Sequence, residues 1–405
     1  MAITINAKTS GAGGLETTAD NTGNINIQSG GSTVMSVTSS GVAITGALSQ
    51  NGGAYSTQPT FRNLIINGDM RIDQRNAGAS VSVSSSTPYT LDRWKAFNNG
   101  GAVFLVQQNL NSITPPEGFT NYLGVSVTTS DTPSGTETHV IRQQIEGNNI
   151  SHLNWGTANA KTITISFWVR SSLTGTFGGT LKNGPDATYP YTYTIDSANT
   201  WEYKTITITG ATSNTWNTDN STGIFAQWSL GSGSSVLGTP GAWNYSANLN
   251  GATGETVVVG TSGATFYITG VQLEVGSTAT DFENLPYDVQ LQRCQRYFQV
   301  IADGRVSINA PICMVVSQST TVLHGLVHFP TPMRTIPTLV TTVTSYRANL
   351  GASNGNSTTN PTLDTIISTI SARIDQSGFS GLGADSAGLV RINSETNYVA
   401  FQAEL

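Results

Sequence analysis

The chain has 405 residues and a formal net charge of −6, and only 10% of its residues are charged, far below the roughly 25% of an average soluble domain. Few side chains are therefore available for acid–base chemistry, whereas the 43 glycines suit turns between strands. The charges are spread along the chain without blocks, which argues against nucleic acid or an anionic membrane as a partner. The length is sufficient for two or three domains, each with its own core.

Residues 1–60 contain only three charged residues, Lys8, Glu16 and Asp20, and no tryptophan. Short alternating runs at 24–28, 33–38 and 42–44 are separated by glycine-containing turns, a pattern typical of β-strands. Strands this short and this poor in large apolar groups cannot bury a core alone. We therefore expect an N-terminal β region that other copies of the chain or another protein complete, with a disordered leader as the alternative.

The first residues lack the basic and apolar parts of a secretory signal. No apolar run approaches the roughly 20 residues that span a bilayer, so no membrane insertion is expected. Assembly in a cytoplasm is the resulting expectation.

Residues 61–285 contain all seven tryptophans. Alternating runs rich in β-branched and aromatic residues at 101–107, 162–169, 203–208 and 265–268 predict an antiparallel β-sandwich. Asparagine–glycine dipeptides, which are typical of hairpin turns, punctuate this block. They are Asn67-Gly68, Asn99-Gly100, Asn183-Gly184 and Asn250-Gly251.

A short helix is predicted over residues 286–299, because apolar residues spaced four, three and four apart form one helical face. These residues are Tyr287, Leu291, Cys294 and Phe298. Pro286 suits the first turn, and Asn284 is a candidate cap.

Beyond the helix, runs at 320–329, 337–343, 365–373 and 397–401 predict the strands of a small C-terminal β domain over residues 300–405. The polar segment 352–361 is expected to be an exposed loop. Its Asn354 and Asn356 could bind sugar hydroxyls, and a connection without a ligand is the alternative.

The search for catalytic constellations finds little. The chain has no phosphate-binding loop ending in Gly-Lys-Ser/Thr and no Cys-x-x-Cys motif. His324 and His328 would lie about 13 Å apart in a strand, too far to share a metal. Cys294 and Cys313 are interpreted as small buried hydrophobes. No catalytic residue, metal or cofactor is therefore predicted.

Two carboxylate pairs are candidates for an acid and a base, Asp69 with Asp73 and Asp281 with Glu283. Solvated or structural carboxylates are the favoured interpretation, because an acid–base pair needs a cleft that the sequence does not indicate.

Aromatic residues are the better candidates for binding. Tyr189, Tyr191 and Tyr193 alternate on one face of a strand, which Pro190 confines to a sheet edge. A surface face of this kind could stack on the apolar faces of sugar rings. Burial in the sandwich is the competing interpretation, because a core face alternates in the same way.

Two tryptophans, Trp216 and Trp243, lie in polar, turn-rich sequence and join the tyrosines as candidate glycan-binding residues. Trp168 stands between Phe167 and Val169 and is interpreted as a core residue.

Four segments together resemble the central domain of bacteriophage tail fibres and related receptor-binding structural proteins. They are Asn63-Leu-Ile-Ile-Asn-Gly-Asp-Met-Arg-Ile-Asp-Gln-Arg75, Leu91-Asp-Arg-Trp94, Tyr267-Ile-Thr-Gly-Val-Gln-Leu-Glu-Val-Gly276 and 282–298. Residues 1–60 and 329–337 resemble the attachment region and the distal domain of such fibres.

This resemblance implies an all-β fold with a jelly-roll, carbohydrate-binding-module-like domain over 61–285, whose opening and closing strands, near Leu64 and Val271, lie side by side. It also implies an intertwined or side-by-side homotrimer in a virion. The N-terminal region would bind other tail or virion proteins, and a host-surface polysaccharide or lipopolysaccharide would be the receptor. A head fibre or tail-tip adaptor is an alternative. A polysaccharide depolymerase is a weaker one, because no β-helix repeat is present.

Overall fold

The computed structural model describes residues 61–405 except 185, 352 and 395, together with seven strands within residues 1–60. The chain forms two compact units, residues 1–60 and 61–405. The described residues are nearly all β, with one α-helix, which confirms the predicted fold class. None of the described helices is long and apolar enough to cross a bilayer.

The N-terminal unit contains a five-stranded sheet in the order β2-β1-β3-β4-β5. Its strands are β1 (Ile3–Ala7), β2 (Leu15–Ala19), β3 (Ile25–Ser29), β4 (Ser32–Thr38) and β5 (Gly41–Ile44), and a short pair, β6 (Ser49–Gln50) and β7 (Gly53–Ala54), follows. The last three strands of the sheet match the three predicted runs. Of the side chains described here, at 25–28, 32–38, 42 and 44, none is fully buried. Completion of this sheet by other chains remains a prediction.

Residues 61–285 form the predicted sandwich of two antiparallel sheets around one hydrophobic core. The strands are β8 (Val81–Ser84), β9 (Trp94–Asn98), β10 (Val103–Gln108), β11 (Leu123–Thr129), β12 (Thr138–Glu146), β13 (Ile163–Ser171), β14 (Gly175–Lys182), β15 (Thr188–Ile195), β16 (Glu202–Ile208), β17 (Thr222–Ser232), β18 (Leu237–Gly238), β19 (Gly251–Ala252) and β20 (Thr265–Val275). The six-stranded sheet runs β16-β13-β20-β11-β10-β8, and the five-stranded sheet runs β15-β14-β17-β12-β9. Short 3₁₀ helices cover 110–112, 147–149, 151–153, 234–236 and 258–260.

The opening segment of the sandwich lies beside its closing strand, as expected, but it is not itself a strand. Leu64 donates its amide to the carbonyl of Leu273, and Val271 donates to the carbonyl of Gly68, both at 2.9 Å. Between these two bonds, the Asn63 side chain makes the hydrogen bonds that the backbone of a neighbouring strand would otherwise make. Its amide nitrogen donates to the Val271 carbonyl, and its oxygen accepts from the Leu273 backbone amide, each at 3.0 Å. A Cβ on Gly68 would lie 2.1 Å from the Val271 oxygen, so glycine permits this close approach.

Only one of the four asparagine–glycine dipeptides makes the predicted hairpin. Asn183-Gly184 connects the paired strands β14 and β15. Asn99-Gly100 instead carries the chain from β9 in one sheet to β10 in the other. An asparagine–glycine dipeptide favours a turn, but it does not decide which sheet the next strand joins.

The C-terminal part has its own core. It contains α1 (Tyr287–Gln295), β21 (Phe298–Asp303), β22 (Pro311–Ser317), β23 (Leu323–His328), β24 (Thr338–Thr341), β25 (Tyr346–Leu350), β26 (Ser353–Ser357), β27 (Thr362–Ile367), β28 (Ser371–Gln376), β29 (Ala387–Ile392) and β30 (Tyr398–Gln402). A seven-stranded sheet runs β26-β25-β29-β22-β23-β28-β27, and a three-stranded sheet runs β21-β30-β24. The run at 365–373 is a hairpin rather than one strand, and the predicted loop at 352–361 contains β26.

The helix is confirmed, but its predicted face is partly wrong. Tyr287 is 56% exposed, and Phe298 begins β21, whereas Cys294 is buried together with Gln290. Pro286 occupies the N-cap position without a side-chain cap bond, and Asn284 does not cap the helix. Both cysteines are free thiols.

The motif segment 63–75 forms part of the junction between the sandwich and the C-terminal part. The Arg305 guanidinium donates to the backbone carbonyls of Gln74 and Arg75 at 2.7 and 2.9 Å. Across the same junction, Arg296 forms an ion pair with the buried Glu146 at 2.6 Å. Segment 63–75 therefore contributes to the packing between the sandwich and the C-terminal part.

Candidate functional site

A groove of about 420 Å³ lies on the outer face of the six-stranded sheet. Aromatic side chains and polar groups line it together: Glu117, Phe119, Ser166, Trp168, Tyr203, Thr280, Asp281, Phe282 and Asn284.

The floor of the groove is an aromatic pair on neighbouring strands. Trp168 and Tyr203 stand opposite each other in β13 and β16, with ring centroids 5.4 Å apart and planes inclined by 48°. Trp168 is half-buried, and Tyr203 is 43% exposed. The interpretation of Trp168 as a core residue was wrong. Successive side chains of a strand point to opposite faces, so the buried Phe167 and Val169 are the reason that Trp168 points outward.

One wall of the groove depends on a β-bulge. Ser166 pairs with Gln272 and Trp168 with Thr269, so two residues of β20 stand opposite one residue of β13. Gly270, in the bulge, has a φ of 61° and would place a Cβ 2.6 Å from the Phe119 ring. Glycine thus lets Phe119 pack directly on the strand, and bulges are common beside binding sites.

The other wall is held by the segment after β20. Phe282 packs edge-on against Phe119, with centroids 5.1 Å apart. The adjacent Glu283 carboxylate accepts the backbone amides of Arg62 and Asn63 at 3.2 and 3.0 Å. Asp281 and Glu283 are therefore not equivalent, because Glu283 is buried and structural whereas Asp281 is exposed on the rim.

The polar rim consists of exposed groups, Glu117, Asp281 and Asn284. Aromatic rings provide flat apolar surface, and the rim groups can exchange hydrogen bonds with hydroxyls. This combination suits a ligand that has an apolar face and polar edges.

The three predicted tyrosines lie in the core. Tyr189, Tyr191 and Tyr193 are 7%, 1% and 6% exposed, and they face the opposite sheet from β15. The edge position predicted from Pro190 is confirmed, and the Tyr191 hydroxyl donates to the Gln227 carbonyl at 2.7 Å. The three rings are buried, as the competing interpretation held, so they have no face free to stack on a ligand.

Trp216 is also buried, whereas Trp243 is half-buried. Both belong to a cluster with Trp155, in which the ring centroids lie 4.7 to 5.6 Å apart. Of the three tryptophans, Trp243 has the most solvent-exposed surface. It does not line the groove.

Asn354 and Asn356 are exposed on β26, an edge strand of the seven-stranded sheet. The Asn349 amide donates to the Asn354 side-chain oxygen at 2.6 Å. The structure does not bring these residues to the groove. Ser353, in the Gly-x-Ser-x-Gly sequence at 351–355, begins strand β26, which pairs with β25, and does not stand on the strand-to-helix turn of a nucleophile elbow.

His324 and His328 lie in strand β23, as expected, and His324 lies 3.7 Å from the Asp375 carboxylate. No group of three or more metal-ligating side chains converges among the residues that the structure describes.

The fold and the groove define an all-β protein with a two-sheet sandwich and an exposed aromatic cleft. The sequence matches no family model and no curated protein. Similar solved structures include the enzymatically active domain of tailspike protein 4 from bacteriophage CBA120 (11% identity, 53% of this chain, 22% of that chain, TM-score 0.27). They also include TmCBM61 with β-1,4-galactotriose (12%, 53%, 99%, 0.27) and a family 11 carbohydrate-binding module of Clostridium thermocellum with a mixed-linked tetrasaccharide (13%, 50%, 98%, 0.25). Scores this low add nothing to the sandwich that the strand order itself defines.

Proposed function

We propose that this protein is a non-enzymatic structural protein of a bacteriophage virion, a trimeric tail fibre that binds a host-surface glycan during adsorption. The motif segments at 63–75, 91–94 and 267–276 support the phage assignment by resemblance. The aromatic groove supports glycan binding.

The observation that carries glycan binding is the aromatic pair in the groove, the half-buried Trp168 and the exposed Tyr203, together with Phe119 and Phe282 in the groove walls. A sugar ring presents an apolar face of C–H groups, which can pack on the flat apolar surface of an aromatic ring. Such a site binds weakly by itself. Three linked copies raise the effective concentration of the second and third contacts, so weak single sites are sufficient for adhesion.

Two features support assembly into a homotrimer. The described side chains of residues 1–60 contain no fully buried group. On the seven-stranded sheet, Met314, Val316 and Leu326 are 67%, 52% and 52% exposed and form an apolar surface. Exposed apolar surfaces of this kind commonly mark protein interfaces.

The test is binding of the full-length protein to polysaccharide and lipopolysaccharide purified from the host, measured by calorimetry. Trp168→Ala and Tyr203→Ala should each weaken binding at least tenfold. Trp243→Ala is the matched control, because it removes a half-buried indole away from the groove. Loss of binding with Trp243→Ala alone would place the site in the other aromatic cluster. Loss only in the double variant Asn354→Ala, Asn356→Ala would place it in the distal domain.

Glu117 and Asp281 both line the groove, so hydrolysis has a specific pair of candidate carboxylates. Incubation with the same polysaccharide should release no new reducing ends if the protein only binds. Release that disappears with Asp281→Asn would support the depolymerase alternative instead. Antibody labelling of residues 300–405 on virions distinguishes a tail fibre from a head fibre or adaptor.

A further inference from the structure

The outer face of the five-stranded sheet, on the opposite side of the sandwich from the groove, carries a cluster of cations and aromatic rings. This cluster, the cationic face, consists of Lys95 on β9, Phe97 on β9, Arg142 on β12, Lys182 on β14 and Phe225 on β17. Arg142 stands opposite Lys95, and Lys182 stands opposite Phe225, in the strand register. Three positive charges therefore share one sheet face.

The Arg142 guanidinium lies between two rings, 4.8 Å from the centroid of Phe97 and 5.4 Å from that of Phe225. Its one hydrogen bond within the described chain is a long one of 3.4 Å to the side-chain oxygen of Gln227. The Arg142 Nε is buried and has no partner. The planar donor array of an arginine normally matches a carboxylate or a phosphate, and here that match is missing.

Lys182 is 5% exposed, and its ammonium lies 5.7 Å from the Phe225 ring. It donates to the side-chain oxygens of Asn248 and Asn250 at 2.7 and 2.5 Å. These are neutral acceptors, so they orient the ammonium without neutralising it. Burial, together with the positive charge of Arg142, lowers the pKa of Lys182 to about 7.

No carboxylate of the described residues lies within 4.0 Å of Lys95, Arg142 or Lys182. Burial and the positive charge of Arg142 lower the pKa of Lys95, against a smaller opposing effect of Glu404, whose carboxylate is already paired with Arg75 and Arg93. Contacts with the aromatic rings offset part of the desolvation cost of these charges, but a buried charge without a counter-ion remains destabilising. An incoming anion would supply the missing counter-charge.

We propose that the cationic face is a second binding site, which takes the carboxylate or phosphate of an acidic saccharide. Arg142 and Lys182 bind the anionic group, Lys95 adds charge at the more open side, and the half-buried rings of Phe97 and Phe225 contact the sugar. This assignment of a saccharide rests on the proposed glycan-binding function. The groove then takes neutral sugar units, and the opposite face takes charged ones.

The test uses polygalacturonate oligosaccharides and their methyl esters, which keep the ring and lose the charge. The full-length protein should bind the acid at least tenfold more tightly than the ester, with affinity that falls as salt is added. Arg142→Gln and Lys95→Gln should each weaken binding of the acid severalfold or more. Lys95 is half-buried, so its variant tests the site even if Arg142→Gln does not fold.

Arg170→Gln is the matched control, because Arg170 lies 5.9 Å from the Tyr267 ring on the other sheet and also lacks an ion pair in the described chain. It should bind the acid like the unaltered protein. If the unaltered protein binds the acid but no neutral glycan, the proposed groove fails while the cationic face stands.

Inorganic phosphate distinguishes the two sources of the anion. Displacement of the uronate by millimolar phosphate would assign the site to phosphate-bearing sugars, and displacement by free galacturonate alone would assign it to uronic acids. Equal binding of acid and ester, or loss of binding in Arg170→Gln but not in Arg142→Gln, would overturn the proposal. So would the absence of any binding of uronate or phosphate at about 50 mM, where even a weak site is filled.

Discussion

Arg93 and Glu404, 311 residues apart in the chain, form an ion pair across the junction between the sandwich and the C-terminal part. Arg93 is 1% exposed, its guanidinium lies 3.5 Å from the centroid of the Tyr297 ring, and it donates to the Gln144 carbonyl at 2.5 Å. One buried cation, the Arg93 guanidinium, therefore joins the sandwich to Tyr297, which follows the helix, and to Glu404, which follows β30.

Glu404→Gln should destabilise residues 61–405 by about 3–5 kcal/mol, because it leaves Arg93 buried without a counter-ion. Chemical denaturation of the full-length protein measures this effect. Asp375→Asn, which breaks a more exposed pair with Arg373, should change little. Equal effects of the two substitutions would contradict a special role for the junction.

Asn63→Ala should cost about 2–4 kcal/mol, because the buried amide of Leu273 and carbonyl of Val271 each lose a partner. Thermal melting of the sandwich reports the loss. Asn159→Ala removes an exposed asparagine and should leave the melting temperature unchanged. A melting temperature as high in Asn63→Ala as in the control would mean that the opening segment is held by other contacts.

Gly270→Ala should weaken glycan binding, because the new methyl group displaces Phe119 from the groove wall. Gly263→Ala is a matched control: its φ of 79° carries a similar backbone cost, of about 1 kcal/mol, but nothing lies within 4 Å of its Cβ. Both variants should lose some stability, and only Gly270→Ala should lose affinity. Equal affinities would show that Phe119 does not shape the site.

Stability should fall as pH rises from about 4 to 7, in part because of Glu255. Burial raises the pKa of this carboxyl to about 7, whereas the unfolded chain loses the same proton near pH 4.3. Between these values the folded state holds more protons, so rising pH favours unfolding, and the effect levels off above pH 7. Asp92, whose pKa is raised to about 6 mainly by burial, acts in the same direction.

Glu255→Gln isolates this contribution, because the amide oxygen can accept from the Ala252 backbone amide and the amide nitrogen can donate to the Ser229 hydroxyl, and the amide does not titrate. The stability of the variant relative to that of the unaltered protein should be higher at pH 8 than at pH 5. The melting temperatures of both proteins at the two pH values measure this difference. A pH-independent difference between the two proteins would show that Glu255 titrates normally.

Leu326→Lys should weaken a trimer that uses the apolar surface of the seven-stranded sheet. Light scattering of the full-length protein measures its mass with and without the substitution. Val306→Lys, at an 86% exposed position outside this surface, is a control for the added charge. A stable monomer before any substitution would end the trimer proposal.

Much of the fold could be predicted from the sequence. Alternation identified the strands, and the spacing around Cys294 identified the helix, because local patterns follow from local geometry. The groove was missed for a related reason. Alternation shows that Phe167 and Trp168 lie on different faces, but both are apolar, so only the tertiary structure decides which of them is inside.

The sequence does not indicate that the backbone of the opening segment, around residues 63–68, is irregular. Its apolar run at 64–66 reads as a strand, and the deviation arises because the Asn63 side chain takes over bonds that a ladder would make. Side-chain bonds to residues more than 200 positions away are not visible in a local pattern. For the tyrosines at 189–193, alternation shows that they share one face of the strand. It does not show whether that face points to the core or to solvent, because packing against the other sheet decides this.

The ion pair of Arg93 has a consequence for the order of events during synthesis. At roughly 5–20 residues per second, about 15 to 60 s separate the appearance of Arg93 from that of Glu404, since Glu404 follows Arg93 by 311 positions. Until then the nascent sandwich carries a cation whose buried position has no counter-charge, so water must keep access to that side. This ion pair can form only after residue 404 has been synthesised, and until then the side of the sandwich that carries Arg93 lacks the counter-charge that the folded protein provides.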